Sequence, residues 1–193
     1  MPLNIPNILT WFRIILIPVF IAVYFVPDAT LSMSHKHLLG FFIFWLASIT
    51  DWLDGYLARV LNQSSAFGAF LDPVADKLMV VAALVILLML GHVNAIIAFI
   101  IIGRELTISA LREWMAQLGS SKSVAVSAIG KLKTVFQMLA IQFLLFHELL
   151  FGIPTHQVGT VLIYLAAILT LWSMIYYLML AMPKISEKSP KQN

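Results

Sequence analysis

The chain has 193 residues, 61% of them hydrophobic and only 11% charged, with a mean hydropathy of +0.96 and a formal net charge of +3. A soluble domain carries about a quarter charged residues, so this composition excludes an ordinary water-soluble globule and indicates an integral membrane protein. Cysteine is absent, which excludes thiol nucleophiles, thiolate metal sites and disulfides.

A membrane-crossing helix needs about 20 mainly apolar residues. In chain order, six segments meet that requirement: roughly 7–26, 38–60, 69–90, 93–116, 131–151 and 156–181. The opening "MPLNIPNILT" has no basic n-region and no small-residue cleavage site, so it is expected to be retained. Turn-forming stretches separate the segments. They are "VPDATLSMSHKH", "LNQSSAFG", "LGHVN", "LGSSKSVAVSAIGK" and "FGIPTH". The predicted architecture is an all-α membrane domain over residues 1–182, followed by a polar cytoplasmic tail over 183–193.

Lys and Arg near the span ends set the orientation. With both termini in the cytoplasm, that side receives Arg13, Arg59, Lys77, Arg112, Lys122, Lys131, Lys133, Lys184, Lys188 and Lys191. The outer side receives only Lys36, and Arg104 lies near mid-span. The asymmetry predicts N-in and C-in. All five histidines, His35, His37, His92, His147 and His156, then fall on the outer side. The His35-x-His37 pair is read as part of a solvated loop, since two ligands alone make a poor zinc site.

One charged window interrupts the apolar pattern. Span two ends and span three begins with D-x2-D-G-x2-A-R-x8-G-x3-D-x3-D, which is Asp51, Asp54, Gly55, Ala58, Arg59, Gly68, Asp72 and Asp76. Residues three or four apart share a helix face. Asp51, Asp54 and Ala58 therefore form one stripe, and Gly68, Asp72 and Asp76 another. The short connection makes the two helices antiparallel neighbours whose stripes can face each other. Pro73 suits this arrangement if its helix begins only a few residues earlier.

Four facing carboxylates in a poor solvent must protonate or bind a cation. Oxygen ligands at a water interface suit Mg²⁺, Mn²⁺ or Ca²⁺ rather than zinc. Two such ions held close together form a clamp for phosphoryl transfer. Gly55 and Ala58 leave room for a bulky ligand, and Arg59 at the mouth can pair with a phosphate. No histidine is expected on the cytoplasmic face, so a carboxylate is the remaining general-base candidate there. Helix caps or solvated interfacial groups would explain one or two of these aspartates, but not four in register.

The eight-position pattern resembles the signature of the CDP-alcohol phosphatidyltransferases, with every signature position matched. That resemblance implies six spans, a homodimer and a two-metal site, with Mg²⁺ or Mn²⁺ opening to the cytoplasm of a bacterial inner membrane. It implies transfer of a phosphatidyl group from a CDP-linked lipid to an alcohol with release of CMP. Asp51, Asp54 and Asp72 are then metal ligands, and Asp76 either joins the second metal or acts as general base. Gly55, Ala58 and Arg59 line the cytidine diphosphate site with Gly68. Asn7, Thr10 and Arg13 support it from span one, unless they are only a cap and a snorkelling arginine.

The stretches "NIPNILTWFRIILIP", "FGAFLDPVADKLMV", "GRELTISALREW" and "SVAVSAIGKLKT" resemble the bacterial members of that family whose acceptor is glycerol 3-phosphate. The expected substrates are therefore CDP-diacylglycerol and glycerol 3-phosphate, within the bilayer and with no nucleic-acid partner. A dianionic acceptor calls for a cationic site. Arg112, Lys131 and Lys133 are its candidates, Arg104 is a further one, and Lys122 is read as a membrane anchor. Arg104 and Glu105 are neighbours on one helix and need separate partners. Another acceptor alcohol (serine, inositol phosphate or phosphatidylglycerol) remains open on the signature alone. So does a divalent-cation transporter, although transporters favour mid-bilayer sites and repeated halves.

Overall fold

The computed structural model describes residues 5–61, 66–117, 128–150 and 152–188. Six helices carry almost all of it: α1 (Ile5–Phe25), α2 (Met33–Val60), α3 (Ala66–Met89), α4 (Ala95–Gln117), α5 (Ala128–Phe146) and α6 (Thr155–Lys188). Between α5 and α6, β1 (Leu149–Leu150) and β2 (Ile153–Pro154) form a two-stranded antiparallel hairpin with Leu150 opposite Ile153. The six helices match the six expected apolar segments. Three of them contain stretches long and apolar enough to cross a membrane, Asn7–Phe25, Met33–Leu57 and Thr155–Tyr176. Large apolar side chains face outward along these helices, among them Phe25, Trp45 and Trp172. That is the pattern of a surface solvated by lipid rather than water.

Several boundaries differ from the sequence expectation. α2 begins at Met33, so His35 and His37 lie in its first turns instead of in a loop, and His37 is buried. His35 is exposed to solvent as expected, though on a helix, and His37 is neither in a loop nor solvated. Pro73 stands two turns inside α3 rather than near its start. There it cannot donate a backbone bond to the carbonyl four residues earlier, that of Ala69. α6 runs on to Lys188, so part of the expected polar tail is helical.

Contacts divide the chain into two compact units, residues 1–93 with 141–159 and residues 94–140 with 160–193. In the first unit α1 packs against both α2 and α3, more extensively than α2 and α3 meet each other. Small residues permit two close approaches. A Cβ on Gly40 would collide with the Tyr24 phenol, coming within 2.8 Å of Cζ. A Cβ on Gly159 would lie 2.8 Å from Leu144 Cγ and 3.0 Å from the Leu144 backbone nitrogen. Backbone cannot swing aside as a side chain can, so Gly159→Ala is expected to destabilise the protein by about 1–3 kcal/mol. A thermal melt in detergent would register the loss. At the end of α3, Gly91 takes φ +74° and the backbone amides of His92 and Val93 return to the Leu87 carbonyl. This is a left-handed glycine stop to a helix.

In the second unit Ile108, Leu111 and Met115 of α4 form a buried cluster with Met174 and Leu178 of α6 against it. Beside it runs a chain of four polar groups. Lys133 bonds Glu105, Arg104 Nη2 donates to Ser173 Oγ at 3.2 Å, and Arg104 Nη1 stands 3.4 Å from Glu105 Oε1. Arg104 and Glu105 thus have the separate main partners that their adjacency on α4 requires.

Candidate active site

The spaced carboxylates described above resolve in the first unit as a cluster built on three helices, not two. α2 supplies Asp51 and Asp54, α3 supplies Asp72 and Asp76, and α1 supplies the groups that tie them together. Arg13 is 1% exposed. Its Nη1 pairs with Asp76 and lies 3.0 Å from Asp51 Oδ1, while its Nη2 pairs with Asp54. One turn earlier, Thr10 donates its hydroxyl to Asp72. The spacing Asn7, Thr10, Arg13 puts all three on the inward face of α1, and all three are buried. All four aspartates are therefore gathered onto one face of α1.

The four are not equivalent. Asp54 is 3% exposed and wholly inside, whereas the side chains of Asp51 and Asp76 are 40% and 39% exposed. The cluster thus has a closed floor at Asp54 and an open rim at Asp51 and Asp76. A guanidinium with a planar fork of donors suits several carboxylates at once. The sequence offers Arg13 either as support for the nucleotide site or as a snorkelling anchor, and places no residue of α1 at the centre of the carboxylates. The i, i+3, i+6 pattern of Asn7, Thr10 and Arg13 was the available signal.

The donor set fits a divalent cation in chemistry. It consists of carboxylate oxygens from two facing helices, hard ligands of the kind Mg²⁺ and Mn²⁺ take. Among the described residues no three acidic or histidine side chains already surround one point. The Arg13 guanidinium stands between the aspartates, so a cation and Arg13 would share the same oxygens.

Gly55 follows Asp54 on α2, and a Cβ built there meets nothing within 4 Å. Gly55 thus borders open space on the surface of α2. Gly68 is buried near the start of α3. The side chains of Ala58, Arg59, Arg112 and Lys131, and the whole of Lys122, lie outside the described residues. Lys133 is 2% exposed and engaged by Glu105 in the second unit, where Arg104 is also buried.

Residues 3–172 match the family of CDP-alcohol phosphatidyltransferases. The chain is 50% identical over 182 residues to a CDP-diacylglycerol–glycerol-3-phosphate 3-phosphatidyltransferase of Salmonella typhimurium, covering 92% of this chain and 94% of that one. It is 50% identical over 183 residues to the enzyme of that name from Haemophilus influenzae, covering 94% and 95%. The corresponding Shigella flexneri protein is 49% identical over 182 residues, covering 92% and 94%. With its eight signature positions intact and the match extending over most of its length, the chain belongs to the CDP-alcohol phosphatidyltransferase family.

Proposed function

We propose that this membrane protein transfers the phosphatidyl group of CDP-diacylglycerol to the 1-hydroxyl of sn-glycerol 3-phosphate, giving phosphatidylglycerophosphate and CMP. One observation carries the reading: four carboxylates converge on α1 in a chain half identical, over 92% of its length, to enzymes named for that reaction. Asp51, Asp54, Asp72 and Asp76 would hold two Mg²⁺ or Mn²⁺ ions. Bound there, the ions neutralise phosphoryl oxygens and favour the alkoxide form of the acceptor.

The chain's own residues do the rest. Asp76, on the open rim, takes the proton of the acceptor hydroxyl. The freed oxygen attacks the phosphatidyl phosphorus, the bond from that phosphorus to the bridging oxygen breaks, and CMP leaves carrying that oxygen. Asp54, at the closed floor, fixes the geometry. Gly55, Ala58, Arg59 and Gly68 form the cytidine diphosphate site, with Asn7 and Thr10 behind it. Arg112 and Lys131 attract the acceptor's phosphate, while Lys133 and Arg104 are engaged by Glu105 and Ser173.

The same reading includes six spans with both termini in the cytoplasm of a bacterial inner membrane, and a homodimer. α3, α4 and α5, at 24, 23 and 19 residues, are about 28 to 36 Å long at 1.5 Å per residue, near the thickness of a hydrocarbon core. A site at the helix ends would let one substrate keep its acyl chains in the leaflet while the other arrives from water.

The deciding experiment measures CMP release by purified protein with a panel of acceptors. Glycerol 3-phosphate alone should support turnover; release with serine, inositol phosphate or phosphatidylglycerol instead would reassign the acceptor. A narrower expectation concerns Arg112. Losing one charged contact to the acceptor phosphate costs about 1.5–3 kcal/mol, so Arg112→Ala should raise the KM for glycerol 3-phosphate roughly 10- to 100-fold. The KM for the lipid nucleotide should stay within about twofold. An equal rise in both would make Arg112 a membrane anchor.

A further inference from the structure

Four histidines stand outside the chemistry of the aspartates, at the other end of the same unit. His37 is in the second turn of α2, His92 follows α3, His147 follows α5, and His156 opens α6. Along α2, positions 37 and 54 are separated by about 26 Å of helix rise. The packing of four segments nevertheless brings the rings together. Centroids are 5.4 Å apart for His37 and His92, 5.1 Å for His37 and His147, 5.5 Å for His92 and His156, and 4.7 Å for His147 and His156. His92 and His147 stack at 4.0 Å.

Three features set this cluster apart from a chance meeting of aromatic rings. First, His37 Nε2, His92 Nδ1 and His147 Nδ1 are buried with no hydrogen-bond partner among the described residues. Buried polar atoms are rarely left so. The Leu144 backbone carbonyl lies within reach of the His92 ring, and a proton donated to it from Nε2 would leave the Nδ1 lone pair free. A backbone carbonyl behind one nitrogen and a free lone pair on the other is how metal-ligating imidazoles are held.

Second, the rings in the turns are kept neutral. Burial, and then the neighbouring rings His147, His37 and His156, push His92 down to about 4. Burial foremost also lowers His147. Unprotonated imidazole is the form that binds metal. Third, His147 takes φ +54°, in the left-handed region that non-glycine residues seldom enter. His147 sits at the C-terminal end of α5, where its amide donates to the Phe143 carbonyl at 3.1 Å, and the following segment is closed by Thr155 Oγ1 donating to the Glu148 carbonyl at 2.6 Å. Backbone strain of this kind concentrates where a side chain must be aimed.

We propose that His37, His92, His147 and His156 form a site for a borderline transition-metal ion such as Zn²⁺, Ni²⁺ or Cu²⁺, distinct from the carboxylate site for hard cations. Imidazole selects this class of metal, as carboxylate selects Mg²⁺ and Mn²⁺. With metal–nitrogen bonds of about 2.0–2.1 Å, the ring centroids of neighbouring tetrahedral ligands lie roughly 5 Å apart. Of the six ring pairs, the five separations given above include four near that value. The exception is the His92–His147 stack, whose planes differ by 4°. Parallel rings do not aim at one point, so no three of these side chains yet enclose an ion. Turning one of the two rings about its Cβ–Cγ bond opens the stack. The ion would then clamp α2, the α3–α4 turn and the α5–α6 hairpin together.

The test uses the full chain in detergent with excess Mg²⁺ to saturate the carboxylates. Zn²⁺ is titrated by calorimetry, and Co²⁺ serves as a spectroscopic stand-in. One Zn²⁺ per chain should bind, the unfolding midpoint should rise, and Co²⁺ should show the intense visible bands of a tetrahedral nitrogen site. The double variant H92Q/H147Q should bind Zn²⁺ at least about 100-fold more weakly. His35→Gln should bind as the wild type does, because His35 is exposed and bonded to Ser32. Equal Zn²⁺ uptake by the wild type and the double variant would overturn the proposal. So would an octahedral Co²⁺ spectrum in the wild type, a measurement that needs no variant to fold. Neither readout depends on phosphatidyl transfer.

Discussion

Asp76→Asn is expected to lower kcat by about 10²–10⁴-fold, the usual worth of a positioned general base, while leaving the affinity for CDP-diacylglycerol nearly unchanged. The amide keeps the size of the carboxylate but cannot accept the acceptor's proton. The fold should tolerate the change. Asp76 is on the half-exposed rim, and Arg13 keeps Asp51 at 3.0 Å and Asp54 at the floor. Single-turnover CMP release and binding of a non-reactive CDP-lipid analogue separate the two effects. A metal titration separates the two roles that Asp76 can have. If Asp76 acts chiefly as a ligand, raising Mn²⁺ restores most of the rate; if it is the base, no concentration does. A fully active variant would remove Asp76 from the chemistry altogether.

Much of this arrangement could be read from local pattern, because local pattern is what makes a membrane helix. Apolar runs of about 20 residues gave six helices, and the ends shifted by a few residues where capping and packing decide them. The aspartate stripes were legible for the same reason, since residues three and four apart must share a face. Arg13 was harder to read. It lies 41 and 63 positions from Asp54 and Asp76, and an arginine near a span end is ordinarily a snorkelling anchor. Only the packing of α1 against both other helices turns it inward.

The histidines show the same limit more sharply. His37, His92, His147 and His156 come from four separate segments, with no spacing rule linking them. The short His35-x-His37 motif reads as a solvated loop for both members, whereas His37 is buried. Lys133 is a third case. Its place beside a cytoplasmic loop suggested an anion ligand, yet its ammonium is buried against Glu105. A charge placed in an apolar chain shows that it has a partner without showing which one.

Arg13→Gln should produce the largest change in stability, and the change should depend on divalent cations. Arg13 is the buried positive charge among Asp51, Asp54 and Asp76. Removing one member of a buried ionic cluster costs about 3–5 kcal/mol because the remaining charges lose their compensation. For a chain of this size that corresponds to a fall in Tm on the order of 10 °C. The full loss is expected in chelator. With Mg²⁺ or Mn²⁺ added, the stranded carboxylates gain a new counter-cation, and binding to the folded state alone stabilises it by mass action. The Tm difference between variant and wild type should therefore shrink as metal is raised. Metal affinity should also increase in the variant, since the ion no longer shares its oxygens with a guanidinium. Isothermal titration with Mn²⁺ and paired melts in chelator and metal would test both expectations. An Arg13→Gln deficit that is identical in the two conditions, with unaltered Mn²⁺ affinity, would mean that arginine and metal do not address the same carboxylates.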